Sequence, residues 1–310
     1  MANKLGITLP YVKRSIMDEH EKYLFDLRGY LVVRDALTKG QLSQLSSTLE
    51  SKRKSGVGIL GSDRTSNNSD TELAWSSPST LEWGGEYLNL IDLPSLQPYL
   101  EILLGKNYRL DHDYVKIDSE NHNHSLYLHG GGQGAGGPTD LVGPTDGGQC
   151  YYRFSNGRFF NGLVAVAFEL DDVRPGTGGF ACVSGSHKVN LELPKDWKIS
   201  KTQDEIPECV DQVAVNAGDA IIFTEACAHG TVPWKGKGER RTIFFKYSPH
   251  AVAWSPAYYN SDNYPGITEN QRKLLMPPSA FGPASETQSI WAAAQREQAE
   301  LLELRGKESN

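Results

Sequence analysis

The chain has 310 residues, of which 38% are hydrophobic and 22% charged, with a net charge of −7 and a pI near 5.7. That length is ample for a buried core, and an acidic balance without a Lys/Arg-rich face argues against a nucleic-acid partner. No apolar run is long enough to span a membrane, the first residues lack a signal-peptide core, and Cys150, Cys182, Cys209 and Cys227 show no C-x-x-C spacing. A reduced, cytoplasmic protein is the expectation.

From Asp18 to Arg28 the apolar residues Tyr23, Leu24 and Leu27 fall on one helical face. Residues 29–35 then read as a short buried strand. A second helix starts at Thr38, an N-cap residue type, and runs through Leu42, Leu45 and Leu49 to Lys54. Gly, Ser and Asn dominate residues 55–80, which predicts a mobile loop or lid. Leu88 to Leu104 reads as helix ending at Gly105, and Tyr108 to Ile117 alternates like a strand. Between Gly130 and Gly148 lie nine of the chain's 31 glycines with Pro138 and Pro144, so that stretch reads as an irregular loop. Asn161 to Leu170 is a strongly apolar strand, a Gly-rich turn follows, and Phe180 to Val183 resumes the sheet. Gly218-Asp219-Ala220 turns into the strand Ile221-Ile222-Phe223, and Thr242 to Tyr247 closes the β region. The tail from about Thr268 to Arg305 reads as helix broken by prolines. Many strands between terminal helices, with no internal repeat and no clean linker, predict one mainly β domain over residues 1–310. Its jelly-roll core spans about 106–250.

Two short motifs carry chemistry. His129 ends a strand in Tyr127-Leu128-His129-Gly130-Gly131-Gly132, and His229 opens Ala228-His229-Gly230, followed eleven residues later (240 − 229) by Arg240. Two His with one carboxylate form the facial triad of non-haem iron(II) oxygenases, whose first half is usually written His-x-Asp. Here Gly131 stands at the carboxylate position and has no side chain to ligate anything. Alternation along the strand puts Arg240 and Arg241 on opposite faces, so at most one enters the barrel. An Arg fork there suits a carboxylate better than Lys.

These pieces come in a defined order. Gly29-Tyr30-Leu31-Val32 is followed by Leu170-Asp171-Asp172, Gly179-Phe180, Gly185-Ser186-His187-Lys188, Gly218-Asp219 with Phe223, His229-Gly230 and Arg240. The series resembles the phytanoyl-CoA dioxygenase family of Fe(II)/2-oxoglutarate oxygenases from roughly Tyr23 to Tyr247. The resemblance implies a double-stranded β-helix, cupin-like in form, with His129 and His229 as ligands of Fe(II). It further implies Arg240 on the distal carboxylate of 2-oxoglutarate, with Thr231 helping to hold it. Gly131 matches the family's halogenase branch, in which the missing carboxylate leaves room for chloride and an aliphatic C–H bond is chlorinated instead of hydroxylated. That is the reading the sequence leans to.

Two alternatives stay open beside it. One is a hydroxylase whose third position is filled by water or by a displaced carboxylate. Glu225 stands four residues before His229, on the same side of a regular strand, and Asp140 and Asp146 lie on the Gly-rich loop. The other is a cupin-like binding protein without turnover. Of the remaining histidines, His112, His122 and His124 read as strand and turn polars, His187 as a backbone-bonded turn residue, and His20 and His250 as surface residues. Tyr127, Tyr151, Tyr152, Phe154 and Trp234 are candidates for the barrel mouth, with Arg153 and Arg158 nearby. A small-molecule substrate is the expected partner, with neither nucleic acid nor membrane involved.

Overall fold

The computed structural model describes residues 17–56, 59–60, 75–120, 126–130, 150–189, 191, 193–255, 258–280 and 282. In chain order its elements are α1 (Glu19–Arg28), β1 (Tyr30–Val33), α2 (Lys39–Lys54), β2 (Ile59–Leu60), β3 (Trp75–Pro78), α3 (Glu86–Asn89) and α4 (Gln97–Leu104). Next come β4 (Tyr108–Ser119), β5 (Leu126–Tyr127), β6 (Tyr152–Ser155), β7 (Arg158–Asn161), β8 (Val164–Glu169) and β9 (Gly179–Cys182). The rest are α5 (Lys195–Lys198), β10 (Ile199–Ser200), β11 (Asp211–Gln212), β12 (Ala220–Thr224), β13 (His229–Val232), β14 (Glu239–Pro249) and α6 (Glu269–Leu274).

Local chemistry sets the helix starts. Asp18 and Glu21 form a capping box at α1, each side chain taking the other's backbone N–H at 2.9 Å. Thr38 and Gln41 do the same for α2, and Thr268 with Gln271 for α6. Gly29 ends α1 at φ +85, a conformation other residues reach only with strain.

Three expectations need correction. The helix expected over Leu88–Leu104 is split into α3 and α4, because Pro94 offers no N–H and disfavours helical backbone at Leu93. Part of the expected 55–80 loop is strand: β2 pairs with β3, and β3 extends the free edge of β4, where the backbone groups of both find partners. The apolar run Asn161–Leu170 belongs to two strands, β7 and β8. Of the helix expected over 268–305, residues 268–280 and 282 are described, and only α6 among them is helix.

Seven antiparallel strands form the large sheet in the order β1-β12-β8-β14-β4-β3-β2. Facing it lies the small sheet β11-β9-β13, joined to the β5–β10 pair through a bridge between His129 and His229. The architecture is a double-stranded β-helix of the jelly-roll type, with helices packed on the outer face of the large sheet. β8 is buried along its whole length, because both its faces are covered. Val164, Val166 and Phe168 meet Phe25, Leu45, Leu49, Leu100 and Leu103 of the helices. Ala165 and Ala167 point instead into the barrel, among Phe180, Ile221, Phe223 and Phe244. Each such large side chain contributes about 1.5–3 kcal/mol by burial, which makes the large sheet a rigid wall for whatever its inner face carries. His250, expected at the surface, is 3% exposed: its Nδ1 accepts the Ser279 N–H at 3.1 Å, tying the end of β14 to the C-terminal segment. His20 is exposed as expected, and no helix among the described residues is long and apolar enough to cross a membrane.

Candidate metal centre

The two sheet-ends that carry His129 and His229 are locked by a reciprocal pair of backbone bonds. His129 N–H donates to the His229 carbonyl at 3.0 Å, and His229 N–H to the His129 carbonyl at 2.8 Å. Their rings stand 4.3 Å apart between centroids. Nδ1 of His129 lies 3.0 Å from the Tyr127 carbonyl, and Nδ1 of His229 lies 2.8 Å from the Cys227 carbonyl. A carbonyl only accepts, so each Nδ1 carries a proton, and Nε2 is the nitrogen that offers a lone pair when the ring is neutral. The Cys227 carbonyl is itself held in place: Cys227 N–H donates to the Thr224 carbonyl at 3.0 Å, and Ala228 N–H donates to the Ser186 hydroxyl at 2.7 Å.

Glu225 completes the group. One carboxylate oxygen, Oε2, lies 3.5 Å from Nε2 of His229, and the ligand atoms of His129, Glu225 and His229 all fall within 4.8 Å of one another. Among the described residues this is the one such set able to hold a metal. The sequence argument for Glu225 assumed a regular strand from 225 to 229. In the fold β12 ends at Thr224, and a tight turn through Glu225, Ala226 and Cys227 swings the carboxylate toward the rings. Gly130 makes the close approach possible. It adopts φ +88, and a Cβ there would lie 2.4 Å from the Glu225 carbonyl oxygen and 2.5 Å from that of Cys227. Gly131, Asp140, Asp146, His122 and His124 lie outside the described residues.

The electrostatics favour a cation. Burial, then the neighbouring His229, pushes His129 down to about 3, so it stays neutral and able to ligate. Burial alone would raise Glu225, but the Lys246 ammonium outweighs it and holds the carboxyl well below its usual range. Lys246 Nζ stands 2.8 Å from the other oxygen, Oε1. Two imidazole nitrogens and an anionic oxygen therefore converge, a donor set that suits a divalent iron ion.

Arg240 is 1% exposed and faces the barrel, while Arg241 points outward to Asp171, with Nη2 2.7 Å from Oδ1. The alternation argument holds. Arg240 is not bare, however. Its Nη2 donates to Glu169 at 2.5 Å, its Nη1 to Asp118 at 3.3 Å, and Thr242 donates to the same Glu169 at 2.8 Å. The buried Nε has no hydrogen-bond partner among the described residues, and it runs beside Gly179, where a Cβ would approach it to 3.1 Å. The Nε–H is thus left over for an incoming acceptor. Gly179 pairs with Val232, three residues along β13 from His229, so about 10 Å of strand separates the two rows. Thr231 follows His229 on the same face of β13, opposite Phe180.

Glu169, Asp118, Ser186 and Lys246 were not singled out in the sequence. A signal existed for two of them: Glu169 is the one charge in an apolar run, and Lys246 shares the parity of Arg240 on β14. Among the other candidates, His187 bonds the Asp26 carbonyl at 2.9 Å as expected for a turn residue. His112 bonds Asp111 at 2.7 Å. Trp234, expected at the mouth, is 3% exposed inside the barrel core and donates to the Gly238 carbonyl. Arg153 lies over the Phe160 ring on the β6–β7 hairpin.

Comparison with known proteins follows the same lines. Residues 146–242 match the sequence profile of phytanoyl-CoA dioxygenase (PhyH). No curated protein matches the chain by sequence. Among solved structures the chain is similar to HygX from Streptomyces hygroscopicus with nickel, 2-oxoglutarate and hygromycin B bound, at 22% identity and a TM-score of 0.63. That match covers 77% of this chain and 90% of HygX. It is also similar to SnoK, the non-haem alpha-ketoglutarate-dependent carbocyclase of nogalamycin biosynthesis, at 14% identity and TM-score 0.55, covering 86% and 93%. The epimerase SnoN in complex with Fe3+, alpha-ketoglutarate and nogalamycin RO gives 14% and 0.55, covering 85% and 93%. At these identities the likeness is one of fold.

Proposed function

We propose that this chain, whose residues 146–242 carry the phytanoyl-CoA dioxygenase family match, is an iron(II)- and 2-oxoglutarate-dependent oxygenase acting on a small molecule, with Glu225 as the carboxylate that Gly131 does not supply. The observation that carries the reading is the convergence of His129, Glu225 and His229 within 4.8 Å. When bound, iron(II) with 2-oxoglutarate would supply, from dioxygen, the oxidising power to break an aliphatic C–H bond. His129 and His229 hold the metal through Nε2, and the Tyr127 and Cys227 carbonyls fix which nitrogen is offered. Arg240 receives the distal carboxylate of 2-oxoglutarate through the Nε–H that its own carboxylate partners leave free, with Thr231 on β13 of the facing sheet. Phe223 and Phe180, with centroids 4.7 and 6.3 Å from the His229 ring, wall that side of the site against water. Similar folds hold hygromycin B and nogalamycin RO, which supports a small metabolite as substrate class.

Glu225 moves the balance away from halogenation, since chloride would have to take the place its carboxylate faces. The test is direct. The purified chain with Fe(II), 2-oxoglutarate and oxygen should form succinate, and substituting His129 or His229 by Ala should abolish iron binding and turnover together. On a substrate that is accepted, the product should gain oxygen even at saturating chloride. A product carrying chlorine in place of hydrogen would restore the halogenase reading. Binding of 2-oxoglutarate without succinate under any condition would favour the non-catalytic module.

A further inference from the structure

Strand β14 lays four side chains along the barrel interior: Arg240, Thr242, Phe244 and Lys246. The first two belong to the Glu169 cluster and the third packs on Tyr114. Lys246 is different. It is 8% exposed and pairs with Ala165 on one side and His112 on the other, in the middle of the large sheet. The small side chain of Ala165 leaves space for the lysine stem. Its Nζ lies 2.8 Å from Oε1 of Glu225 and 5.5 Å from the centre of the Tyr114 ring.

We infer that Lys246 is a positioning residue that, by gripping Oε1 of Glu225, presents Oε2 alone to the metal. This rests on the reading of Glu225 as ligand given above. Glu225 stands on a turn rather than a strand, so no sheet ladder orients its side chain; the nearest backbone restraint is its own N–H, bonded to the Leu163 carbonyl at 3.0 Å. Lys246 stands on the most firmly paired strand of the barrel and provides the rigid support that the turn lacks. An ion pair formed for stability alone would be expected to satisfy both carboxylate oxygens. Here the ammonium meets Oε1 alone, as an ion pair at 2.8 Å, while Oε2 faces the two imidazole rings. One-oxygen ligation also leaves more of the metal's coordination sphere free than a carboxylate binding through both oxygens.

Cobalt(II), titrated into the full-length metal-free protein, reads the effect through affinity and through its d–d absorption. Lys246→Met should weaken cobalt binding about ten- to hundred-fold, the usual effect of removing a group that orients a ligand, with far-UV circular dichroism unchanged. In a Glu225→Gln background the same substitution should change affinity less than about two-fold, because Lys246 acts only through Glu225. Lys246→Arg keeps the charge, and with it the fold, but its fork reaches both carboxylate oxygens, so the d–d spectrum should shift. Unchanged or tighter binding in Lys246→Met overturns the inference. So does an equal loss in the Glu225→Gln background, or a wild-type spectrum in Lys246→Arg. If Glu225→Gln alone leaves cobalt affinity and spectrum untouched, the ligand reading of Glu225 fails instead, and the two failures are told apart.

Discussion

Arg240→Met isolates the most heavily charged point of the barrel interior. Arg240, Glu169 and Asp118 are each no more than 1% exposed, and one guanidinium serves both carboxylates. Burial drives Glu169 up, against the pull of Arg240. Removing the cation leaves two acidic groups facing each other in a space without water. Breaking a buried pair by deleting one partner costs about 3–5 kcal/mol. At about 2–4 °C per kcal/mol for a chain approaching this size, melting should fall by roughly 10 °C. Urea unfolding gives the cleaner number: the midpoint should drop while the slope stays that of the wild type, marking lost stability rather than altered compactness. Adding Glu169→Gln to Arg240→Met should recover at least about half of the loss, since one of the stranded charges is gone. The double variant then separates structure from binding, because it should fold yet fail to bind 2-oxoglutarate in calorimetry. A loss below about 1 kcal/mol for Arg240→Met, or no recovery in the double variant, would refute this account of the cluster.

Three further outcomes can be checked. Gly130→Ala meets two backbone carbonyl oxygens at 2.4 and 2.5 Å and a left-handed φ of +88. Overpacking and backbone strain together should cost about 2–5 kcal/mol in chemical denaturation and weaken metal binding. Asp111 is pushed up by burial, yet the bonds from His112 and from the Trp254 and Ser255 amides outweigh that and hold it below the usual aspartate value, beside its ion pair with Arg109. A depressed folded value means stability that is present above the unfolded pKa, near 4, and lost as pH falls through the folded one. Asp111→Asn should therefore be less stable than wild type at pH 7, and the gap should narrow below about pH 4 in unfolding curves measured across pH. Finally, iron(II) at a hundred times its dissociation constant should stabilise the wild-type protein by about 2.7 kcal/mol. Differential scanning under anaerobic conditions should show that rise in the wild type and none in His229→Ala.

Short-range chemistry was legible without a fold. The N-cap residue type at Thr38 and strand alternation from 240 to 247 each act within a few residues. That is why the β-rich middle and the opposite faces of Arg240 and Arg241 followed from the order of residues, while the choice of Arg240 as the inward one came from the family resemblance. The errors fell where neighbours in space overrule neighbours in sequence. Residues 75–78 of the stretch expected as a loop become strand because β4 offers them an open edge, and His250 is buried because the C-terminal segment folds over it.

At the site the division is the same. The residue order alone determined that His129, His229 and Arg240 are the groups to watch, since their types and spacing carry a chemical meaning before any folding. It also named Glu225, though with a strand in mind where the chain makes a turn. Only the tertiary structure decided that this carboxylate meets the two rings, that Lys246 grips its far oxygen, and that Glu169 and Asp118 flank the guanidinium. Charges brought together from distant strands interact by their separation in space and by the water excluded between them, and neither quantity is written along the chain.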